Sequence, residues 1–294
     1  MHKYLRTVGF STCTRKQDES ALLKRVEEEF TICTSTESYD GEEVTELDVT
    51  LAPGIGLRAR GRYDAKDQFE REYYYPYCIA DEIGTTAQCQ IQRHTDKETY
   101  SGMCEDYRLG ISLIFFIQNG LEYEERKKNV FLSSKVVGVK LSALASVGRI
   151  LIPLKKTQEQ IEKAKVTMKN RTALLEAARQ GDESAVESLT LEDMNLFANL
   201  AKRLKSEDVY SILDSYFMPY GMESDQYSLM GTIDAVEEVH NPWTNEKVFI
   251  FKVDCNDISL NVAINAKDLE GEPAVGRRFK GDIWLQGTLA FEEV

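Results

Sequence analysis

The clearest pattern in the chain is a period of two near its end. In GRRFKGDIWLQGTLAF, residues 276–291, Phe279, Ile283, Leu285, Leu289 and Phe291 stand at odd positions, with Gly281 and Gly287 among them. Arg278, Lys280, Asp282, Trp284, Gln286 and Thr288 stand at even ones. Successive side chains of a strand point to opposite faces. The segment therefore predicts a long strand with one apolar face and with Arg278, Lys280 and Trp284 together on the other. The same alternation runs through 229–235, 249–253 and 258–264. Between the last two, Asn256-Asp257 reads as a two-residue hairpin loop, because both residue types tolerate the positive φ it demands. That register sets Val253 opposite Leu260 and Phe251 opposite Val262, which buries one continuous face. With a short helical piece, AKDLEG, before the last strand, residues 225–294 are expected to form an OB-like all-β barrel or half-barrel.

Residues 1–154 mix helix and strand periods. QDESALLKRVEEEF, 17–30, reads as an amphipathic helix with Asp18 or Ser20 near its start. TELDVTL, GLRARGRY, EREYYYPY, TAQCQIQR, YRLGISLIFFIQ and SKVVGVKLSALASVGRILIPL read as strands, with LEYEERKK, 121–128, as a short helix before the last. Neighbouring strands with few helical crossovers predict an antiparallel sheet, so the chain is assigned to the α+β class. Residues 155–224 read as a helical block. Ile161, Met168 and Leu175 recur at sevens near Ala164 and Ala178, and Gly181 marks a stop. Thr190 to Asp193 resembles a capping box opening MNLFANLAKRL. Ser206-Glu207-Asp208 opens VYSILDSYF, which Pro219 and Gly221 close. Three units follow: 1–154, 155–224 and 225–294.

Composition narrows the function. Hydrophobic residues make up 42% and charged residues 29% of the 294, the balance of a soluble globular protein. A net charge of −13 argues against duplex DNA as a partner, because such binding is driven by Lys and Arg on phosphates. MHKYLRTVGFS lacks the apolar run of a signal peptide, and ISLIFFI is too short to span a bilayer. A cytoplasmic protein with no membrane association is expected. The six cysteines form no CxxC pair and read as free thiols. Cys89, His94 and Cys104 lack the spacing of zinc ligands, so no metal and no cofactor is assigned.

Two clusters carry candidate chemistry. Arg58, Arg60 and Arg62 share one strand face, and Tyr73, Tyr75 and Tyr77 share another just downstream. Arginine beside tyrosine suits phosphate and base recognition. The competing reading is a sheet ladder. A three-residue loop Gly54-Ile55-Gly56 sets Thr50 opposite Arg60 and Asp48 opposite Arg62, so the arginines meet acid. The second cluster is Arg278, Lys280 and Trp284, an outward strand face suited to stacking bases or to a protein partner. Residues 225–294 hold 13 acidic and 6 basic residues, the wrong bias for nucleic acid. No nucleophile elbow, phosphate loop, HExxH or dinucleotide fingerprint occurs, and no catalytic residue is assigned. The leading expectation is a non-enzymatic interaction protein, adaptor or regulator, binding another protein or itself. The alternative is a small-ligand or single-stranded nucleic-acid binder using the Arg/Tyr face.

MHKYLRTVGFS, YRLGISLIFFIQN, ARQGDESAVESLTLEDM, EDVYSILDSYFMPYGMESDQYS and DLEGEPAVGRRFKGDIWLQG together resemble an uncharacterised family, a domain of unknown function in proteins of about 290 residues from clostridial-type Gram-positive bacteria. The resemblance spans the whole length. It implies a cytosolic protein and no assigned activity, so it carries no functional residues over.

Overall fold

A computed structural model describes residues 2–38, 41–94, 99–106, 108–154, 213–221 and 224–293, and between them 166–167, 170–171, 173–175, 177–178, 180–191 and 194. It is β-rich, of the α+β class, with two sheets. After a short 3-10 turn (Leu5–Val8) comes α1 (Lys16–Glu28), which buries Leu22, Leu23 and Val26 on one face. Asp18 caps it by accepting the Arg15 backbone N–H at 3.1 Å. The first sheet is an antiparallel meander of β1 (Ile32–Glu37), β2 (Glu43–Ala52), β3 (Ile55–Tyr63) and β4 (Phe69–Cys78), in chain order.

The β2–β3 turn is tighter than the sequence reading. Pro53-Gly54 makes it, with Gly54 at φ 80°, and Ala52 pairs directly with Ile55. Together with a bulge between Thr50 and Ala52, this shifts the ladder. Arg58 faces Asp48 and Arg60 faces Glu46, rather than Arg60 facing Thr50 and Arg62 facing Asp48.

Among the described residues the second sheet has ten strands. Its N-terminal members are β5 (Cys89–His94), β6 (Thr99–Asp106), β7 (Ile111–Ile117) and, after α2 (Gly120–Lys128), the 16-residue β8 (Val136–Leu151). The remainder are β9 (Tyr216–Pro219), β10 (Gln226–His240), β11 (Lys247–Cys255), β12 (Ile258–Asn265), β13 (Leu269–Glu270) and β14 (Arg278–Phe291). Asn256 and Asp257 have φ of 55° and 60°, and Val253 pairs with Leu260 and Phe251 with Val262. A bulge between Ile233 and Ala235 flips the alternation of β10, so Val236 turns inward after it.

The first and last thirds of the chain share this sheet. β8 runs parallel to β12 over 141–145 and antiparallel to β14 from Val136 to Leu151. β10 joins β11 on one side and β14 on the other. Each of β8, β12, β11, β10 and β14 thus has two partners within the group of five. β14 also forks: 278–284 pair with β10, then Gln286 and Gly287 pair with β7. The small residues of β8 permit this crowding; a Cβ on Gly148 would stand 2.5 Å from the Phe279 ring.

In the helical stretch, Ile161, Ala164, Met168, Glu192, Asp193 and Ser206 to Asp208 lie outside the described residues. Gly181 is left-handed, with φ 90°. The helix at 183–191 is capped by Asp182, whose Oδ1 accepts the N–H groups of Ser184 at 2.9 Å and Ala185 at 3.2 Å. Thr190, read as a helix start, lies inside this helix and donates to the Val186 carbonyl. Tyr216 and Phe217, read as the end of a helix, belong to β9, where Phe217 packs on Tyr227 with ring centroids 4.8 Å apart. Among the described residues no helix is long and apolar enough to cross a membrane.

The described residues form two cores. One lies within the five-strand group and extends to β7: Leu141, Ala143, Phe251, Val253, Leu260, Val262, Phe279 and Leu285 are buried together. The other joins the sheets. Val49, Leu57, Tyr75 and Tyr77 pack with Leu144, Val248, Ile250, Ala263 and Trp284, and Tyr4, Leu5, Val8 and Phe10 complete it. The outer faces of β11, β12 and β14 are therefore covered, and this decides the fate of Trp284.

Candidate functional site

β3 and its neighbours bring most of the arginine–tyrosine cluster together. Tyr75 pairs across from Arg58 and Tyr73 across from Arg60, with Tyr77 one pair further along. The tighter turn adds the two acids of β2. Arg58 Nε donates to Asp48 at 2.6 Å, and Arg60 Nη2 donates to Glu46 at 2.6 Å. The Tyr77 hydroxyl donates to Asp48 at 2.8 Å and the Tyr75 hydroxyl to Glu46 at 3.2 Å. Arg58 lies over the Tyr77 ring at 4.6 Å and Arg60 over Tyr73 at 5.3 Å. Arg60, Tyr75 and Tyr77 are each 1% exposed. Arg62 sits apart at the strand end, half-buried, paired with Glu42 and with Glu72. The Tyr73 hydroxyl is buried without a hydrogen-bond partner among the described residues.

Electrostatics seal the cluster. Burial disfavours both guanidinium charges, but nearby Glu46, with Asp48 at Arg58, more than offsets it, so Arg58 and Arg60 are held protonated. Burial, reinforced by Glu46 and Asp48, pushes the Tyr75 and Tyr77 phenols above their ordinary range. Both arginines are neutralised from within the sheet. An anionic ligand would have to displace carboxylates already held in a desolvated site.

The network continues into the second sheet through residues that the sequence reading passed over. Arg58 Nη1 donates to the Gln118 carbonyl at 3.1 Å, and the Tyr75 hydroxyl shares its one proton between Glu46 and this carbonyl, also 3.1 Å away. The Gln118 side-chain amide donates to the Cys78 carbonyl at 2.7 Å and to Gln286 Oε1 at 2.8 Å. Gln286 in turn donates to the Pro76 carbonyl at 2.9 Å, and Ser142 to the Cys78 carbonyl at 2.6 Å. The only trace of these contacts in the sequence is a polar residue inside each apolar run, ISLIFFIQ, KLSALA and IWLQG.

The second predicted cluster does not form a surface. Arg278 is 5% exposed, and its guanidinium donates to the carbonyls of Ile152 at 3.0 Å and Leu213 at 2.8 Å. Trp284 is 7% exposed, stacked by Tyr4 at 5.5 Å and flanked by His2 at 5.0 Å and Phe116 at 5.3 Å. Its indole N–H donates to Asp225 at 2.7 Å. Only Lys280 of the three reaches partway to solvent. The alternation placed these side chains on one face, but the N-terminal segment and the first sheet cover Trp284, and the backbone at Ile152 and Leu213 engages Arg278.

The apolar surface lies elsewhere. Between α2 and β8 the run Val130-Phe131-Leu132 stands out of the fold, with Val130 90% and Phe131 84% exposed. The loop is pinned from below: Asn129 Oδ1 accepts the Phe131 N–H at 3.0 Å, and Arg126 donates to the Ser133 carbonyl at 3.2 Å. Phe131 and Leu132 border a cleft of about 830 Å³ with Glu122, Arg126, Lys140 and Phe291. Smaller clefts lie by Asp106, Arg108 and Arg171, about 350 Å³, and by His2, Glu19 and Tyr74, about 600 Å³. His94 bonds to the Ser101 hydroxyl at 2.7 Å, and among the described residues no three His, Cys, Asp or Glu side chains are grouped to hold a metal.

These features define a two-sheet α+β protein with a polar network closed on itself and an apolar edge beside one cleft. The chain belongs to the family described as a domain of unknown function, E. rectale gene description (DUF3881), whose model matches residues 5–287. No curated protein and no solved structure matches it.

Proposed function

We propose that the protein is a non-enzymatic binding protein that docks an apolar segment of a different polypeptide at the cleft bordered by Phe131 and Leu132. The observation that carries this reading is Phe131, an aromatic side chain 84% exposed on a loop whose backbone is hydrogen-bonded in place. Contiguous exposed apolar groups rimmed by charge mark interaction sites. The rim charges are largely paired here, Arg126 with Glu122 at 2.8 Å and Lys135 with Glu292 at 2.8 Å, so the cleft selects for apolar anchors rather than for net charge. A net charge of −13 works against a second copy as the occupant.

In the same reading the group β8–β12–β11–β10–β14 is an OB-like barrel serving as a rigid support. A three-strand meander followed by one parallel and two antiparallel pairings supports it. OB barrels bind oligonucleotides on the face of their second and third strands. The corresponding outward residues, Val248, Ile250 and Ala263, lie in the second core. That burial, together with the acids facing Arg58 and Arg60, favours a polypeptide over a nucleic acid or a small anion.

The test is capture by the tagged full chain from extract of its own cells, comparing Phe131→Asp with the variant Lys66→Glu at an exposed residue that does not line the cleft. A stoichiometric polypeptide should be retained by Lys66→Glu and lost about tenfold or more with Phe131→Asp, as for an interface hot spot. Circular dichroism checks that both variants keep the fold. Capture indifferent to Phe131→Asp, or a wild-type chain that enriches no polypeptide, overturns the proposal.

A further inference from the structure

Two of the six free thiols face each other across an antiparallel ladder. Cys89 opens β5 and is the direct partner of Cys104 on β6. Directly opposed residues share one face of the sheet, with Cα atoms about 4.5–5.5 Å apart. A disulfide spans Cα separations of about 4.4–6.8 Å. Both side chains turn to the same core: Cys104 is buried, and Cys89 is half-buried against it. Among the described residues β5 is the last strand on its side of the sheet, so no further strand is paired to its outer edge. The remaining cysteines within strands face other residues, Cys33 opposite Leu47, Cys78 opposite Ile55 and Cys255 opposite Ile258.

We propose that Cys89 and Cys104 are a redox modification site that closes as a reversible cross-strand disulfide, with a small disulfide of the glutathione class as oxidant. The Cys89 thiolate attacks one sulfur of the small disulfide; its S–S bond breaks and one small thiol leaves. The Cys104 thiolate then attacks the Cys89 sulfur of the mixed disulfide and expels the second small thiol. Each cysteine sulfur gives up one electron and one proton, and the small disulfide is reduced to two thiols. Cys89 is the entry point because it is the more exposed of the two. Burial pushes its thiol up to about 11 and that of Cys104 up to about 12. Both are protonated at neutral pH, so exchange is slow there and quickens as pH rises. The product ties the outermost hairpin of the large sheet together covalently.

The full chain, brought to constant composition in glutathione buffers from fully reduced to oxidised at mildly alkaline pH, tests this. Remaining thiols are alkylated under denaturing conditions and mapped by peptide mass. The expected result is loss of two alkylatable thiols, recovered as a linked pair of peptides containing Cys89 and Cys104, and reversed by excess reduced glutathione. Cys89→Ser should abolish the linked pair while the protein keeps its circular dichroism. Full alkylation of Cys89 and Cys104 at the oxidised end, or linkage through any other cysteine, overturns the proposal.

Discussion

Truncating Arg60 tests whether the arginine–tyrosine cluster is the internal network described. The guanidinium is 1% exposed and makes its charge-assisted bonds to Glu46, at 2.6 Å and 3.1 Å. Arg60→Ala leaves the Glu46 carboxylate, 12% exposed, inside the sheet. Breaking one side of a buried pair costs about 3–5 kcal/mol. Glu46 keeps Arg58 at 3.6 Å and the Tyr75 hydroxyl at 3.2 Å, so the lower end, about 3 kcal/mol, is expected. Replacing both members by Met removes the stranded charge and keeps most of the volume. The double variant Arg60→Met/Glu46→Met should therefore be more stable than Arg60→Ala. Urea unfolding followed by circular dichroism, with equal slopes across variants, gives the free energies. A cost for Arg60→Ala below about 1 kcal/mol, the value of an exposed pair, would refute the reasoning. So would a double variant as destabilised as the sum of its singles.

Two further outcomes follow from single groups. Burial raises the Asp225 carboxyl above its ordinary range, although the Trp284 N–H bond opposes it. A raised folded value means that its contribution is present below the unfolded value of about 3.9 and is lost as pH rises through the folded one. Asp225→Asn keeps an acceptor for Trp284 and should be more stable than the parent at neutral pH, with the gap closing in acid; urea midpoints that stay parallel across pH would contradict this. At the β11–β12 turn, Asp257 has φ 60°, which a β-branched side chain resists. Asp257→Val should cost about 1–2 kcal/mol while Asp257→Gly costs almost nothing, and equal thermal midpoints for the two would remove the backbone explanation.

Features set by local chemistry were legible in the sequence. The Asn256-Asp257 turn, the pairing of Val253 with Leu260, and the helices at Lys16–Glu28 and Gly120–Lys128 rest on period, caps and turn residues that act over a few positions. Strands whose buried face is not apolar escaped. β6 buries Tyr100, Gly102, Cys104 and Asp106, a set with no hydrophobic alternation to read. β1 is an edge strand with almost no burial and is ordered by its ladder to β2. The candidate site was legible only in part. That arginines of β3 meet acid across the ladder was legible, but the expected pair was Arg62 with Asp48; that Arg58 meets Asp48 and Arg60 meets Glu46 followed from where the turn falls and from the bulge between Thr50 and Ala52.

By itself the sequence determined which side chains share a face: Phe279 with Ile283 and Leu285 on one side of the last strand, Arg278 with Trp284 on the other. Only the tertiary structure decided what lies against each face. Alternation is a property of one strand, whereas burial of Trp284 under Tyr4 and His2 depends on residues more than two hundred positions away. For the same reason the exposure of Phe131 was invisible: an apolar residue in a loop becomes surface or core according to whether another element arrives to cover it.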